Sequence, residues 1–381
     1  MSINIFMIRC SAPFTAISLL PNVLPRPCCW YDSAGGDDYK IDDNMSADFY
    51  MKHNMSLLDK VAVTKGNLPK GCNRCNKIEG KRAYYNSFNE NHSLTKDDFL
   101  NDPKLLTHGD LSYLHIMFNN KCNLACRTCN MPFSSTHARE ATGKNQVTHN
   151  IRKDSKLYNS LVKKSKSLKT LYLSGGETMY DDTTWDYFTK LWQLGRTPQI
   201  VLKVSTNGTI RLNEKQLEIL KSFKKVEMHL SIDGVDKMAE YTRTGLKWNK
   251  FLSNFEIYAK HFEILTVITV SALNIFELEK TYNYWESLYN STHTNFVDWP
   301  NQLSISNLSD TAKQYVRDTN DLSGHPSVEN YLNVPAVTLQ NKNTQQWIDY
   351  LDHRALSSGI WPKYKTYKEL FPKYYDILAP V

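Results

Sequence analysis

The sequence predicts an α/β protein: a mostly parallel sheet, preceded by a cysteine-bearing stretch and followed by a helical C-terminal extension. Two observations carry this. From about residue 113 onward, short apolar runs alternate with stretches of helical periodicity, the arrangement of parallel strands joined by crossover helices. The polar and glycine-rich motifs fall where those apolar runs end, and parallel sheets bind ligands beyond the C-terminal ends of their strands. With 381 residues, 41% of them hydrophobic, the chain can bury a sizeable core.

The first 105 residues hold two cysteine groups: Cys10, with Cys28 and Cys29 further on, and the C-x2-C pair Cys72 and Cys75. Prolines around 21–27 mark a turn between two short extended runs, 16–20 and 28–31. A hairpin there brings Cys10 near Cys28, and Cys72 and Cys75 then complete a four-thiolate site. Four soft ligands suit an iron–sulfur cluster or zinc equally on chemistry alone. Adjacent cysteines on a strand point to opposite faces, so Cys28 is the preferred ligand and Cys29 the spare. The competing reading makes Cys10 and Cys28 buried apolar thiols. Residues 32–60 are acidic (Asp37, Asp38, Asp42, Asp43) and predict a surface loop with a short helix. Residues 76–112 are polar, with Glu79, Lys81 and Arg82 in a helical turn.

Strands are expected at 113–118, 171–174, 200–205, 226–232, 265–271 and 303–306. Between them, helix 183–194 carries Trp185, Phe188, Leu191 and Trp192 on one face, and helix 214–223 carries Leu217, Leu220 and Phe223. Helices 248–262 and 275–288 follow the same period. The last seventy residues are mostly helical, and a stripe of Trp347, Tyr350 and Leu351 reads as core.

Directly after the apolar run 114–118 comes Cys122-Asn-Leu-Ala-Cys126-Arg-Thr-Cys129. Three thiolates at C-x3-C-x2-C spacing can reach three corners of one cubane iron–sulfur cluster from a single loop. The fourth iron then keeps an open coordination position. The alternative is a zinc knuckle or a chance grouping, although zinc favours paired C-x2-C units that complete four ligands.

Charge and targeting features exclude several classes. The net charge is +7, from 46 basic and 39 acidic residues, with no tight basic stripe, so nothing marks a nucleic-acid binder. The densest basic run, 163–169, suits the C-terminal end of a helix. No apolar stretch is long enough for a membrane span. The apolar start is broken by Arg9, Cys10 and Pro13 and makes a poor signal peptide. Clustered thiols without an export signal point to metal ligation in a reducing cytoplasm.

The C-x3-C-x2-C loop resembles that of the radical S-adenosylmethionine (SAM) superfamily. The resemblance implies a partial (β/α)6 barrel whose 4Fe–4S cluster, held by Cys122, Cys126 and Cys129, binds SAM at its fourth iron. One electron then cleaves SAM to methionine and a 5′-deoxyadenosyl radical, which abstracts a substrate hydrogen. Gly175, Gly176 and Glu177 resemble the Gly-Gly-Glu motif that holds the SAM amino group. Glycine lets the backbone approach a ligand closely, and a carboxylate suits an ammonium. Ser205 and Asn207, then Ser231 and Asp233, resemble the strand ends facing ribose and carboxylate. Arg243 is a candidate for the SAM carboxylate and Asn274 for adenosine. Turn and cap roles compete for each strand-end residue, and a solvated surface position competes for Arg243. Thr128 stands where relatives carry an aromatic or large apolar residue, which leaves the adenine contact unassigned.

The N-terminal cysteines are similar to the auxiliary-cluster, or twitch, region, here in front of the barrel as in a subset of the superfamily. The usual hairpin glycine is replaced by Leu20-Pro-Asn-Val-Leu-Pro. This implies a second 4Fe–4S cluster on Cys10, Cys28, Cys72 and Cys75, and domains at 1–105, 106–310 and 311–381, the last packing across the barrel's open side. It also implies an external one-electron donor such as a flavodoxin or ferredoxin, and a peptide or protein substrate. Modification of a nucleotide, nucleic acid or small metabolite is the alternative. A non-catalytic iron–sulfur or zinc protein, acting as electron carrier or binding module, is the reading from another class. No catalytic acid, base or substrate contact can be named from the sequence.

Overall fold

The computed structural model describes residues 15–21, 25–28, 31, 41–53, 70–72, 110–147, 150–289, 292–336 and 343–379. Cys10, Cys29 and Cys75, the acidic pair Asp37 and Asp38, and the predicted turn at Glu79, Lys81 and Arg82 lie outside these. Among the described residues seven strands form one sheet in chain order: β1 (Ala16–Leu19), β2 (Tyr113–Ile116), β3 (Thr170–Leu173), β4 (Val201–Thr206), β5 (Lys225–Ser231), β6 (Glu263–Val270) and β7 (Thr292–Phe296). Sequential order with helical crossovers is the connectivity of a (β/α) sheet, so the predicted α/β class holds, and the C-terminal segment is helical as expected. The described residues divide into two compact units. One draws on segments up to 120, 147–205 and 212–227. The other draws on 121–146, 206–211 and 228 onward.

In the first unit β1 to β4 run parallel, with Ser18, His115, Tyr172 and Lys203 at one register level. Alternation then divides the two faces. Ile17, Leu19, Leu114, Ile116, Leu171, Leu173, Leu202 and Val204 are buried on one side. The other side is polar, although parallel strands are usually apolar on both faces. There the His115 ring stacks on Tyr172 with centroids 4.4 Å apart. Its Nδ1 lies 3.2 Å from Ser18 Oγ, and its Nε2 lies 2.6 Å from Ser174 Oγ. Helices α1 (Ala47–His53), α2 (Lys156–Lys164), α3 (Asp182–Gln193) and α4 (Glu214–Lys221) belong to this unit. Lys163 and Lys164 close the last turn of α2, where cations suit the helix dipole. The expected hairpin is present in part: Ser18 N donates to Arg26 O at 2.7 Å, and Arg26 N returns to Ser18 O at 3.3 Å. Its first run is also a strand of the main sheet, paired to β2, which the sequence did not suggest.

In the second unit β6 and β7 pair in parallel from Thr266↔Thr292 to Val270↔Phe296. β7 is the strand missing from the sequence reading. The run expected as the last strand, 303–306, instead falls in two 3-10 turns, Asn301–Leu303 and Ile305–Asn307. Leu303 and Ile305 are buried there, so the alternation that suggested a strand arises from turns folding onto the core. The C-terminal stripe is corrected too. Helix Thr344–Ser357 buries Ile348, Leu351, Asp352 and Ala355, whereas Tyr350 is 39% exposed.

Candidate functional site

The cysteine loop follows β2 and leads into helix Ser135–Thr142, capped by Ser134, whose hydroxyl accepts from His137 N at 3.1 Å. The same hydroxyl donates to Leu124 O at 2.7 Å, and Thr136 Oγ1 donates to Cys122 O at 2.5 Å, so the helix start grips the loop. Cys129 N donates to Cys126 O at 3.0 Å, which makes the C-x2-C step a tight turn. Along its other edge the loop pairs with the segment after Tyr241: Ala125 N donates to Thr244 O at 3.0 Å and Arg127 N to Thr242 O at 2.8 Å. Cys122 is buried, and Cys126 and Cys129 are half-buried. Burial raises the Cys126 thiol above its usual pKa, and burial together with the neighbouring Cys126 pushes Cys129 up to about 12. Among the described residues no three His, Cys, Asp or Glu side chains close into a metal cage.

Beneath the loop, Arg127 is fully buried. It donates through Nη1 to Glu140 Oε1 at 3.0 Å and through Nη2 to Glu140 Oε2 at 2.7 Å, a bidentate pair. It also reaches Ala125 O at 2.9 Å and Leu351 O at 3.2 Å. Glu140 accepts in addition from Arg354 Nε at 2.8 Å and Trp361 Nε1 at 2.7 Å. Burial opposes the Glu140 charge, but the Arg127 guanidinium and these hydrogen bonds hold its carboxyl below the usual value. Asn123, within the loop, closes a ring with a strand end. Asn207 Nδ2 donates to Asn123 Oδ1 at 2.9 Å, Asn123 Nδ2 to Thr209 Oγ1 at 2.8 Å, and Thr209 Oγ1 to Asn207 Oδ1 at 2.6 Å.

The remaining second-unit candidates gather around Asp233. Its backbone has φ +41°, a conformation in the left-handed region that aspartate tolerates better than most residues. Its Oδ1 accepts from Thr269 N at 2.7 Å, and its Oδ2 accepts from Arg243 Nη1 at 2.6 Å. Arg243 is 8% exposed, which overturns the solvated reading, and its Nε has no acceptor among the described residues. The Asn274 amide is taken up by the turn it builds, donating to Asp233 O at 2.9 Å and Thr269 O at 3.0 Å and accepting from Ser271 N at 2.8 Å. Ser231 ends β5, half-buried.

In the first unit, Gly175 and Gly176 take φ +79° and +56°. A Cβ on Gly175 would lie 2.1 Å from Met117 Sδ, so only glycine fits. Glu177 is buried and accepts from Met179 N at 3.0 Å. Thr178 Oγ1 donates to Ser205 O at 2.9 Å, and Ser205 Oγ lies 3.0 Å from the Tyr172 hydroxyl. This turn therefore belongs to the same polar face as His115 and Ser174. Of the N-terminal cysteines, Cys28 packs half-buried against Ala16 and Tyr113, and Cys72 ends the short turn Lys70–Cys72.

Four residues at or beside the site were missed in the sequence: Asn123, Arg127, Glu140 and His115. Only position could have signalled them. Asn123 and Arg127 lie inside the cysteine motif, and His115 breaks an otherwise apolar run.

Among solved structures, the one described as native anSMEcpe with bound AdoMet shares 22% identity, covers 49% of this chain and 52% of that chain, and gives a TM-score of 0.40. Streptococcus suis SuiB bound to precursor peptide SuiA shares 13% identity, covers 72% of this chain and 57% of that chain, and gives 0.36. The SuiB structure described without ligand shares 15%, covers 71% and 58%, and gives 0.38. The chain thus spans about half the length of the first of these, 52%. No curated protein matches the chain. Residues 116–284, which include the cysteine loop, the Gly-Gly-Glu turn and the later strand ends, match the family model described as the Radical SAM superfamily.

Proposed function

We propose that this protein is a radical SAM enzyme that modifies a peptide or protein, working in the cytoplasm with an external one-electron donor. The observation that carries the reading is the family match over 116–284, because one span encloses both the three-cysteine loop and the Gly175-Gly176-Glu177 turn. The donor set fits the cofactor. Cys122, Cys126 and Cys129 offer three soft thiols on one loop, matched to iron. Arg243 offers a buried Nε with no acceptor among the described residues, suited to a carboxylate. When bound, the 4Fe–4S cluster and SAM supply reductive cleavage to a 5′-deoxyadenosyl radical; the protein supplies position and exclusion.

On this reading, Asp233 holds the Arg243 fork so that its remaining donors face SAM. The Asn123–Asn207–Thr209 ring fixes the loop against the strand end. Gly175, Gly176 and Glu177 take the SAM amino group, with Ser205, Asn207, Ser231 and Asn274 at the ribose and adenosine end. Asn274 acts there by shaping the turn, since its amide is already engaged. Cys10, Cys28, Cys72 and Cys75 hold a second 4Fe–4S cluster, which four protein ligands suit to an electron-accepting role. The Ser18–Arg26 bridge supports the hairpin that this ligand set requires. The peptide substrate follows from the likeness of this N-terminal pattern to auxiliary-cluster enzymes.

Anaerobic reconstitution tests the proposal. About eight irons per chain and dithionite-dependent 5′-deoxyadenosine from SAM are expected. Iron without SAM cleavage would favour an electron carrier, and zinc on the N-terminal cysteines would remove the second cluster.

A further inference from the structure

A cavity of about 540 Å³ opens beside the cysteine loop, entirely within the second unit. Four lysines line it, Lys237, Lys247, Lys363 and Lys365, with Trp361 and Tyr364 between them. All four lysines are exposed, and none forms an ion pair among the described residues. The one carboxylate in the lining, Glu240, already accepts from Trp248 N at 2.8 Å. Glu369, which feels the charge of Lys365, is engaged by Thr366 N at 2.7 Å. With four lysines against one carboxylate in the lining, and Glu369 offsetting part of the Lys365 charge, the cavity keeps a net positive surface on a chain whose overall charge is mild.

Its wall is thin. Gly245 lies between the cavity and the cysteine loop, and a Cβ there would meet the Trp361 ring at 2.9 Å and Leu124 at 3.0 Å. Leu124 is two residues from Cys122 and two from Cys126. Trp361 donates to Glu140, which grips Arg127, the neighbour of Cys126. At Gly245 the cavity lining thus abuts Leu124 of the loop.

We propose that this lysine-lined cavity is the docking surface for an acidic one-electron carrier protein, which reduces the cluster on Cys122, Cys126 and Cys129. The inference rests on the radical SAM reading and names the partner of that site. In the step the carrier loses one electron and the cluster gains it; no bond is made or broken. Charge complementarity raises encounter rates and makes them fall with salt, and electron-transfer encounters need only small interfaces. Trp361 and Tyr364 give the cavity an apolar floor on which a partner's rim can rest.

The test uses the anaerobically reconstituted holoenzyme with a recombinant acidic flavodoxin and its reductase. Two fourfold variants are made, replacing Lys237, Lys247, Lys363 and Lys365 by Gln in one and by Glu in the other. Flavodoxin affinity is measured by calorimetry at two salt concentrations, and reduction of the cluster by stopped-flow absorbance. The Gln variant is expected to bind about tenfold or more weakly and to lose most of the salt dependence, with the Glu variant weaker still. Dithionite-driven SAM cleavage is expected to be unchanged in both, since dithionite needs no docking surface. Wild-type affinity and reduction rate in a folded Gln variant would overturn the proposal. If the wild type cleaves no SAM with dithionite, the enzyme reading fails, while the flavodoxin titration still decides the docking surface.

Discussion

Two buried arginines flank the cysteine loop, and they are used differently. Arg127 sits within the loop and sends four hydrogen bonds inward, two to Glu140 and two to backbone carbonyls. Its guanidinium also lies 5.7 Å from the centre of the Tyr364 ring. Arg243 sits on the strand-end side and makes one hydrogen bond among the described residues, to Asp233 at 2.6 Å. Both are held by a carboxylate because an unpaired charge could not be buried. The difference is what remains. The Nε of each lacks an acceptor among the described residues, but Arg127 spends both terminal nitrogens on the protein and acts as a brace, whereas Arg243 spends one, Nη1. A guanidinium anchored by one arm and open at the others is suited to recognise a carboxylate.

The comparison breaks or sharpens under substitution, with the largest effect at the loop that both arginines serve. Cys126→Ala, with two thiols left for the cluster, is expected to reduce SAM cleavage to background, read by iron content and 5′-deoxyadenosine yield. Cleavage retained at wild-type rate would remove the loop as the cluster site. Next comes the brace. Glu140→Ala leaves Arg127 buried without its counter-charge, a change worth about 3–5 kcal/mol of stability, measured by denaturant unfolding. The pH dependence has a definite sign. The Glu140 carboxyl is held below 4.5 in the fold, so its contribution is fully present above that value and is lost as pH falls through the folded pKa. Glu140→Gln is expected to flatten the acid limb of the stability curve. An unchanged limb would mean that the brace is not electrostatic.

How legible these features were depends on the range of the contacts. The cysteine loop, the Gly175-Gly176-Glu177 turn and strands β2 to β6 were readable because spacing and alternation are local. β7 was not: Thr292–Phe296 has no fully buried side chain, so the alternating apolar signal of a strand is absent, as is common at a sheet edge. The 303–306 run misled for the opposite reason, since its apolar residues alternate although the backbone closes 3-10 turns, with Ser304 N on Asn301 O at 3.1 Å. β1 lies nearly a hundred residues before its partner β2, and no local pattern announces such a pairing. The brace was hidden in the same way. Arg127 reads as any charged residue in a loop until helix Ser135–Thr142 delivers Glu140 and the C-terminal helix delivers Arg354 and Leu351 O.

The recognition arm predicts a smaller, more selective effect. Arg243→Lys keeps the charge but loses the planar fork, so KM for SAM is expected to rise about tenfold with kcat little changed. Stability should fall by less than in Glu140→Ala, because the ammonium can still pair with Asp233. An unchanged KM would assign Arg243 to bracing as well.

The smallest effect concerns a third buried basic side chain, His115, which among the described residues has hydroxyl partners and no counter-charge. Burial, assisted by the Arg26 charge, lowers its pKa to about 3. Its imidazole is therefore expected to stay neutral from pH 8 down to about 4, followed by the ring carbon shifts in NMR. In the unfolded chain the same ring takes up a proton below about 6.5. Stability should then decline as pH falls from that value toward the folded pKa, and His115→Asn should remove this part of the slope. An imidazole titrating near 6.5 would show that the polar face of β1 to β4 admits enough water to solvate a charge. The contrast between a charge held by a carboxylate and a base kept neutral by burial would then not extend to the first unit.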